Sequence, residues 1–125
     1  MEASYRLSKY VNKVFHWARV TVSADVAEQD SITVAEDVFA LRGYPPGVEV
    51  DAMRSEAVDG VRYALGKLPQ GGPRYEVTVI QIEDAPADTG PGDVKLAAAQ
   101  ATWAALQFLP TEPPSFDHSG PVFPD

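Results

Sequence analysis

The chain has 125 residues, a formal net charge of -8, 45% hydrophobic and 22% charged residues, and no cysteine. This suits one domain around one core and excludes a disulfide framework, a thiolate nucleophile and a cysteine-based zinc site. The acidic balance disfavours autonomous nucleic-acid binding, leaving a basic protein partner or a ribosome approached through other contacts.

Tyr5, Arg6, Ser8, Lys9 and Tyr10 interrupt any signal-peptide core, and no apolar run reaches the length of a membrane span, so a cytoplasmic protein is expected. In residues 1–14, Leu7, Tyr10, Val11 and Val14 follow the spacing of one helical face, which predicts a short amphipathic N-terminal segment; its Tyr and Val content also admits a strand. From Phe15 to Val26 the period becomes 2, with Val20, Val22, Ala24 and Val26 against Thr21, Ser23 and Asp25, which predicts a strand with one wet face. A polar connection leads to a second β-type run, Ile32 to Leu41, read as the antiparallel partner of the first. Ala35, Glu36 and Asp37 break its alternation, as a bulge or strand edge would.

Arg42 to Gly47, RGYPPG, is turn punctuation. A helix is expected next, with Asp51 as N-cap and Val50, Met53, Ala57, Val61, Ala64, Leu65 and Leu68 on one face. Gly60 inside it signals either a close backbone approach or mere tolerance. Tyr75 to Ile82 is apolar on both faces and belongs in the middle of a sheet. A second helix begins near Pro91, with Asp93 in its first turn. Its apolar residues form one set at Val94, Ala97, Ala98, Ala101, Ala105 and Phe108 and another at Leu96, Ala99, Trp103 and Leu106. So broad an apolar surface predicts a sandwiched helix or an interface, with Leu96, Trp103 and Leu106 as candidate contacts of a protein partner or a second copy. Five prolines in residues 110–125 make a C-terminal arm, disordered or laid over the surface through Phe116 and Phe123.

The expected fold is α+β: a small mixed or mainly antiparallel sheet with two helices on one face, formed by residues 15–109. Two blocks resemble domain IV of translation elongation factor G, which has the ribosomal protein S5 domain 2-like fold. One is Ala57, Val58, Asp59, Gly60, Val61, Arg62, Tyr63, Ala64 and Leu65. The other is Tyr75 to Ile82, Asp88 and Thr89, then Val94 to Leu106. The resemblance implies a free-standing domain that binds the ribosome near the decoding centre. No GxxxxGK[ST] phosphate loop is present, so GTP hydrolysis is not expected, and Lys13 to His16 stand where the family has a glycine-rich tip.

Candidate chemistry is sparse. Glu83, Asp84, Asp88 and Asp93 gather at one corner, where they read as solvated charges favouring a helix N-terminus more readily than as Mg²⁺ or Ca²⁺ ligands. His16 and His118 lie in unlike contexts with no nucleophile elbow. No catalytic, cofactor or metal residue is therefore assigned. A non-enzymatic protein-binding or assembly module, self-associating through the helix over 91–109, leads, ahead of a ribosome-associated domain and a small metal-dependent enzyme.

Overall fold

The structure is a computed structural model that describes residues 1–41 and 49–125; the turn expected over 42–47 lies outside the described residues. Strand β1 is Glu2–Val11, β2 Val14–Ala27 and β3 Ser31–Val34; helix α1 is Glu49–Gly66; β4 is Arg74–Asp84; helix α2 is Asp93–Leu106; and β5, Ser115–Asp117, and β6, Gly120–Val122, form a short hairpin. The main sheet has the order β1-β2-β4-β3. β1 and β4 run antiparallel to β2, whereas β3 runs parallel to β4. The fold is thus α+β with a mixed sheet, as the patterning predicts.

The N-terminal helix is not formed. Residues 2–11 pair along their whole length with β2, so the first fourteen residues belong to the sheet. What looks like helical spacing conceals an alternation: Ala3, Tyr5 and Leu7 pack against the core while Ser4, Arg6 and Ser8 face away. The turn closing this hairpin places Asn12 at φ 50° and Lys13 at φ 66°, the two positive-φ central residues of a tight primed turn matched to strand twist.

The pairing of the second β-type run also differs from expectation. It ends at Val34 and lies beside β4, not β2. The rest of the run becomes a turn that drives Val38 into the core, where its carbonyl accepts the Ile82 N–H at 2.8 Å. β4 is central, between β2 and β3. Opposite β4, Thr21 pairs with Gln81 and Val22 with Val79, so Ile80 is an inserted bulge residue. The bulge changes the phase of the strand, which lets Val77, Val79 and then Ile82 all point inward.

Both helices cover one face of the sheet. Met53, Ala57, Gly60, Val61 and Ala64 of α1 are buried, as are Val94, Ala97, Ala98, Ala101 and Ala105 of α2. The helices approach closely at Gly60, where a Cβ would lie 2.3 Å from the Lys95 carbonyl oxygen and 2.9 Å from the Ala98 Cβ. Glycine is therefore required here by contact. Two boundaries move from their sequence positions: α1 starts at Glu49, so Asp51 is inside its first turn, and α2 starts after Pro91, with Gly92 as N-cap at φ 87°.

Candidate functional site

Polar chemistry concentrates where β2 meets the N-terminus of α2. His16 and Asp93, 77 residues apart, form a pair with Nδ1 at 2.9 Å from Oδ1 and 3.1 Å from Oδ2. Asp93 is fully buried, and its Oδ2 also accepts the Gly90 N–H at 2.8 Å. Burial raises the Asp93 pKa above the ordinary carboxylate value, opposed by the Gly90 N–H and by His16. Asp93 is thus no solvated corner charge, contrary to expectation. It ties β2 to α2.

The C-terminal arm closes over this junction. Phe116 of β5 tilts against the His16 ring at 5.0 Å, with the Lys9 ammonium 5.1 Å from its centre. Further along, Phe123 meets Tyr63 edge-on at 5.4 Å and the Lys95 ammonium at 4.2 Å, and the Tyr63 hydroxyl donates to the Pro124 carbonyl. Of the two alternatives for the arm, the structure has it laid over the surface through Phe116 and Phe123. His118 stands exposed in the turn between β5 and β6 and takes no part in the His16 pair. No hydroxyl hydrogen-bonds His16 among the described residues.

A cleft of about 380 Å³ lies between α1 and the corner before α2, lined by Glu49, Met53, Glu56, Asp84, Thr89 and Val94 among others. Its central carboxylate already has structural work: Glu56 accepts the N–H groups of Gly92 at 3.1 Å and Lys95 at 3.2 Å, satisfying two donors of the α2 N-terminus from a neighbouring helix. The four corner carboxylates are dispersed. Glu83 pairs with Arg19 at 3.5 Å on the outer face, Asp84 lines the cleft, Asp88 sits beside β2 with its backbone carbonyl accepting the Trp17 N–H at 3.0 Å, and Asp93 is with His16. Among the described residues no group of three or more possible ligands could hold a metal ion.

Helix α2 does not offer the expected interface. Leu96 and Trp103 are buried within the chain, and Leu106 is half-buried against the core. The Trp103 indole N–H donates to the Ala64 carbonyl at 3.1 Å, and its ring meets Tyr63 edge-on at 6.0 Å. The breadth of the apolar surface is explained by three internal covers, namely sheet, α1 and the C-terminal arm.

Exposed apolar and aromatic side chains gather instead at the tip of the β1–β2 hairpin. Tyr10 is 67% exposed, Val14 54% and Phe15 37%, and Trp17 is half-buried. Tyr10 lies directly opposite Phe15, Ser8 opposite Trp17, and Arg6 opposite Arg19, all on the sheet face that no helix covers. The Tyr10, Phe15 and Trp17 rings make no aromatic or cation–π contact among the described residues. The helical alternative for residues 1–14 hides this surface, because it puts Tyr10 with the core and separates it from Phe15.

No protein-family model and no curated protein matches the chain. Among solved structures, it is similar to part of a protein from Thermus thermophilus known from its crystal structure, with a TM-score of 0.59 and 15% identity. The match covers 81% of this chain but 14% of that one, so the chain spans a small part of its neighbour's length. At this identity the likeness concerns the fold. Among the described residues no helix is long and apolar enough to cross a membrane.

Proposed function

We propose that this chain is a non-catalytic binding module whose contact surface is the outer face and tip of the β1–β2 hairpin. The observation that carries the reading is the contrast between the two sides of the sheet. On one side the apolar surface of both helices is consumed internally; on the other, Tyr10, Phe15 and Trp17 lie on a face without a helix to cover them. Exposed aromatic rings gathered at one place are the usual anchors of an interface, because they gain most from being desolvated. A cytoplasmic setting belongs to this proposal, and a chain without cysteine is compatible with it.

A photoreactive amino acid placed at Tyr10 is expected to form adducts in the host cell, whereas the same group at exposed Asp59 on α1 forms none. Equal labelling from both positions, or none from Tyr10, would remove the hairpin as the contact surface.

A second reading is a ribosome-associated domain resembling domain IV of elongation factor G. What favours it is that the two blocks carrying that resemblance, 57–65 and 75–82 with 88–89 and 94–106, lie together in the fold, joined at the Gly60 contact with α2. Co-sedimentation with ribosomes at low and moderate salt tests it, and absence from the pellet at both would retire it.

A further inference from the structure

We infer that the outer face of the β1–β2 hairpin binds single-stranded nucleic acid, stacking two or three bases on Tyr10, Phe15 and Trp17 and holding the backbone with Arg6, Lys13 and Arg19; this rests on the proposed contact surface and names its ligand.

The formal charge of -8 conceals a strong segregation. Residues 1–19 contain Arg6, Lys9, Lys13 and Arg19 against Glu2, a net of +3, and the other residues carry -11. In space, the hairpin end of the outer face carries Arg6, Lys13 and Arg19 against Glu83, which lies opposite Arg19, so this end keeps a small cationic excess on an acidic molecule. Lys9 is turned to the helix side over Phe116, which leaves Arg6, Lys13 and Arg19 for the outer face and tip. Arg6 has no ion pair among the described residues, and Arg19 is held only by Glu83 at 3.5 Å, with 46% of its side chain exposed.

The rings are placed for bases. Tyr10 and Phe15 are cross-strand neighbours, and Trp17 follows two residues along β2, on the same face and roughly 7 Å further on. In sheet-based RNA-binding modules, rings on adjacent strands stack two or three bases, and guanidinium groups beside them meet phosphates. An acidic peptide would satisfy the cations but give the three rings no flat partner. Double-stranded nucleic acid presents no free base faces to them. The acidic residues Glu2, Asp25 and Glu76 at the other end of the outer face limit the footprint to the hairpin end.

The test is fluorescence anisotropy of the purified full chain with labelled oligouridylate RNA, the matching DNA strand and an RNA duplex. Either single strand is expected to bind and the duplex is not. With three cations engaged, affinity for a single strand falls about 20-fold between about 50 and 200 mM salt. Tyr10→Ala and Phe15→Ala each weaken binding by about fivefold or more, and Arg6→Ala reduces the salt dependence. Circular dichroism confirms that each variant is folded. Trp17 fluorescence is quenched on saturation, while buried Trp103 stays unchanged, as a Trp103→Phe variant verifies. No binding of either strand at low salt, or binding unaffected by Tyr10→Ala and Phe15→Ala, overturns the inference. The Tyr10 photo-adduct separates this failure from that of the underlying reading: a nuclease-resistant, protease-sensitive adduct refutes the nucleic-acid ligand and leaves the hairpin as contact surface.

Discussion

Replacing Gly60 by alanine tests the packing that fixes α2 against α1. In an open helix interior this change stabilises by up to about 1 kcal/mol, because alanine restricts the unfolded chain and favours helix. Here the new methyl would lie 2.3 Å from the Lys95 carbonyl oxygen and 3.1 Å from its carbonyl carbon. Those are backbone atoms of α2 that no rotamer change can move, so the helices must separate. Overpacking of this kind costs about 1–3 kcal/mol, and against backbone the upper part of that range applies. Subtracting the propensity gain leaves a loss of about 2 kcal/mol. Urea denaturation, with a slope of about 2 kcal/mol/M, should show the midpoint falling by about 1 M. Gly66→Ala is the control, since nothing lies within 4 Å of its Cβ position; that variant should be neutral or up to about 1 kcal/mol more stable. A Gly60→Ala midpoint at or above the native value would refute the close approach.

Three further outcomes follow from the same contacts. Trp103→Ala should cost about 3–5 kcal/mol in urea denaturation, because it empties a buried site and leaves the Ala64 carbonyl without its indole donor; a loss below about 1 kcal/mol would instead fit a surface anchor. Glu56→Ala removes the acceptor of two α2 N-terminal N–H groups and should cost about 1.5–3 kcal/mol, with faster hydrogen exchange at Gly92 and Lys95. For Asp93 the folded pKa is raised above its unfolded value, so the folded state binds the proton more tightly. Its contribution to stability is therefore greatest below the unfolded pKa and is lost as pH rises through the folded one. Relative to Asp93→Asn, which lacks this titration, the native chain should lose stability as pH rises above the ordinary carboxylate value of about 4; a difference that is flat or moves the other way contradicts the assignment.

Much of the fold is legible because local pattern and tertiary role agree. The period-2 run of β2, the doubly apolar β4 and both helices are read correctly in kind, and Gly60 carries its own warning. For residues 1–14 the strand alternative holds and the helical one fails, because Leu7, Tyr10, Val11 and Val14 satisfy helical spacing by coincidence, while the weaker alternation of Ala3, Tyr5 and Leu7 governs the structure. The placement of β3 is beyond local pattern: adjacency in sequence favours pairing with β2, but β4 occupies that side. The His16–Asp93 pair has no signal at all, since neither residue type nor spacing links positions 77 apart. The interface expected at Leu96, Trp103 and Leu106 fails for a related reason. A helix apolar all round looks the same in sequence whether its covers come from another molecule or from its own chain's last residues.

The most direct test of the central claim, that the hairpin's outer face is a contact surface for single-stranded nucleic acid, is a titration of ¹⁵N-labelled protein with oligouridylate followed by amide and indole shifts. Perturbations at Arg6, Ser8, Tyr10, Phe15, Trp17 and Arg19, with the Trp103 indole and the α1 amides unmoved, are the predicted result. Shifts centred on the cleft at Glu49, Glu56 and Asp84, with the hairpin unmoved, would contradict it.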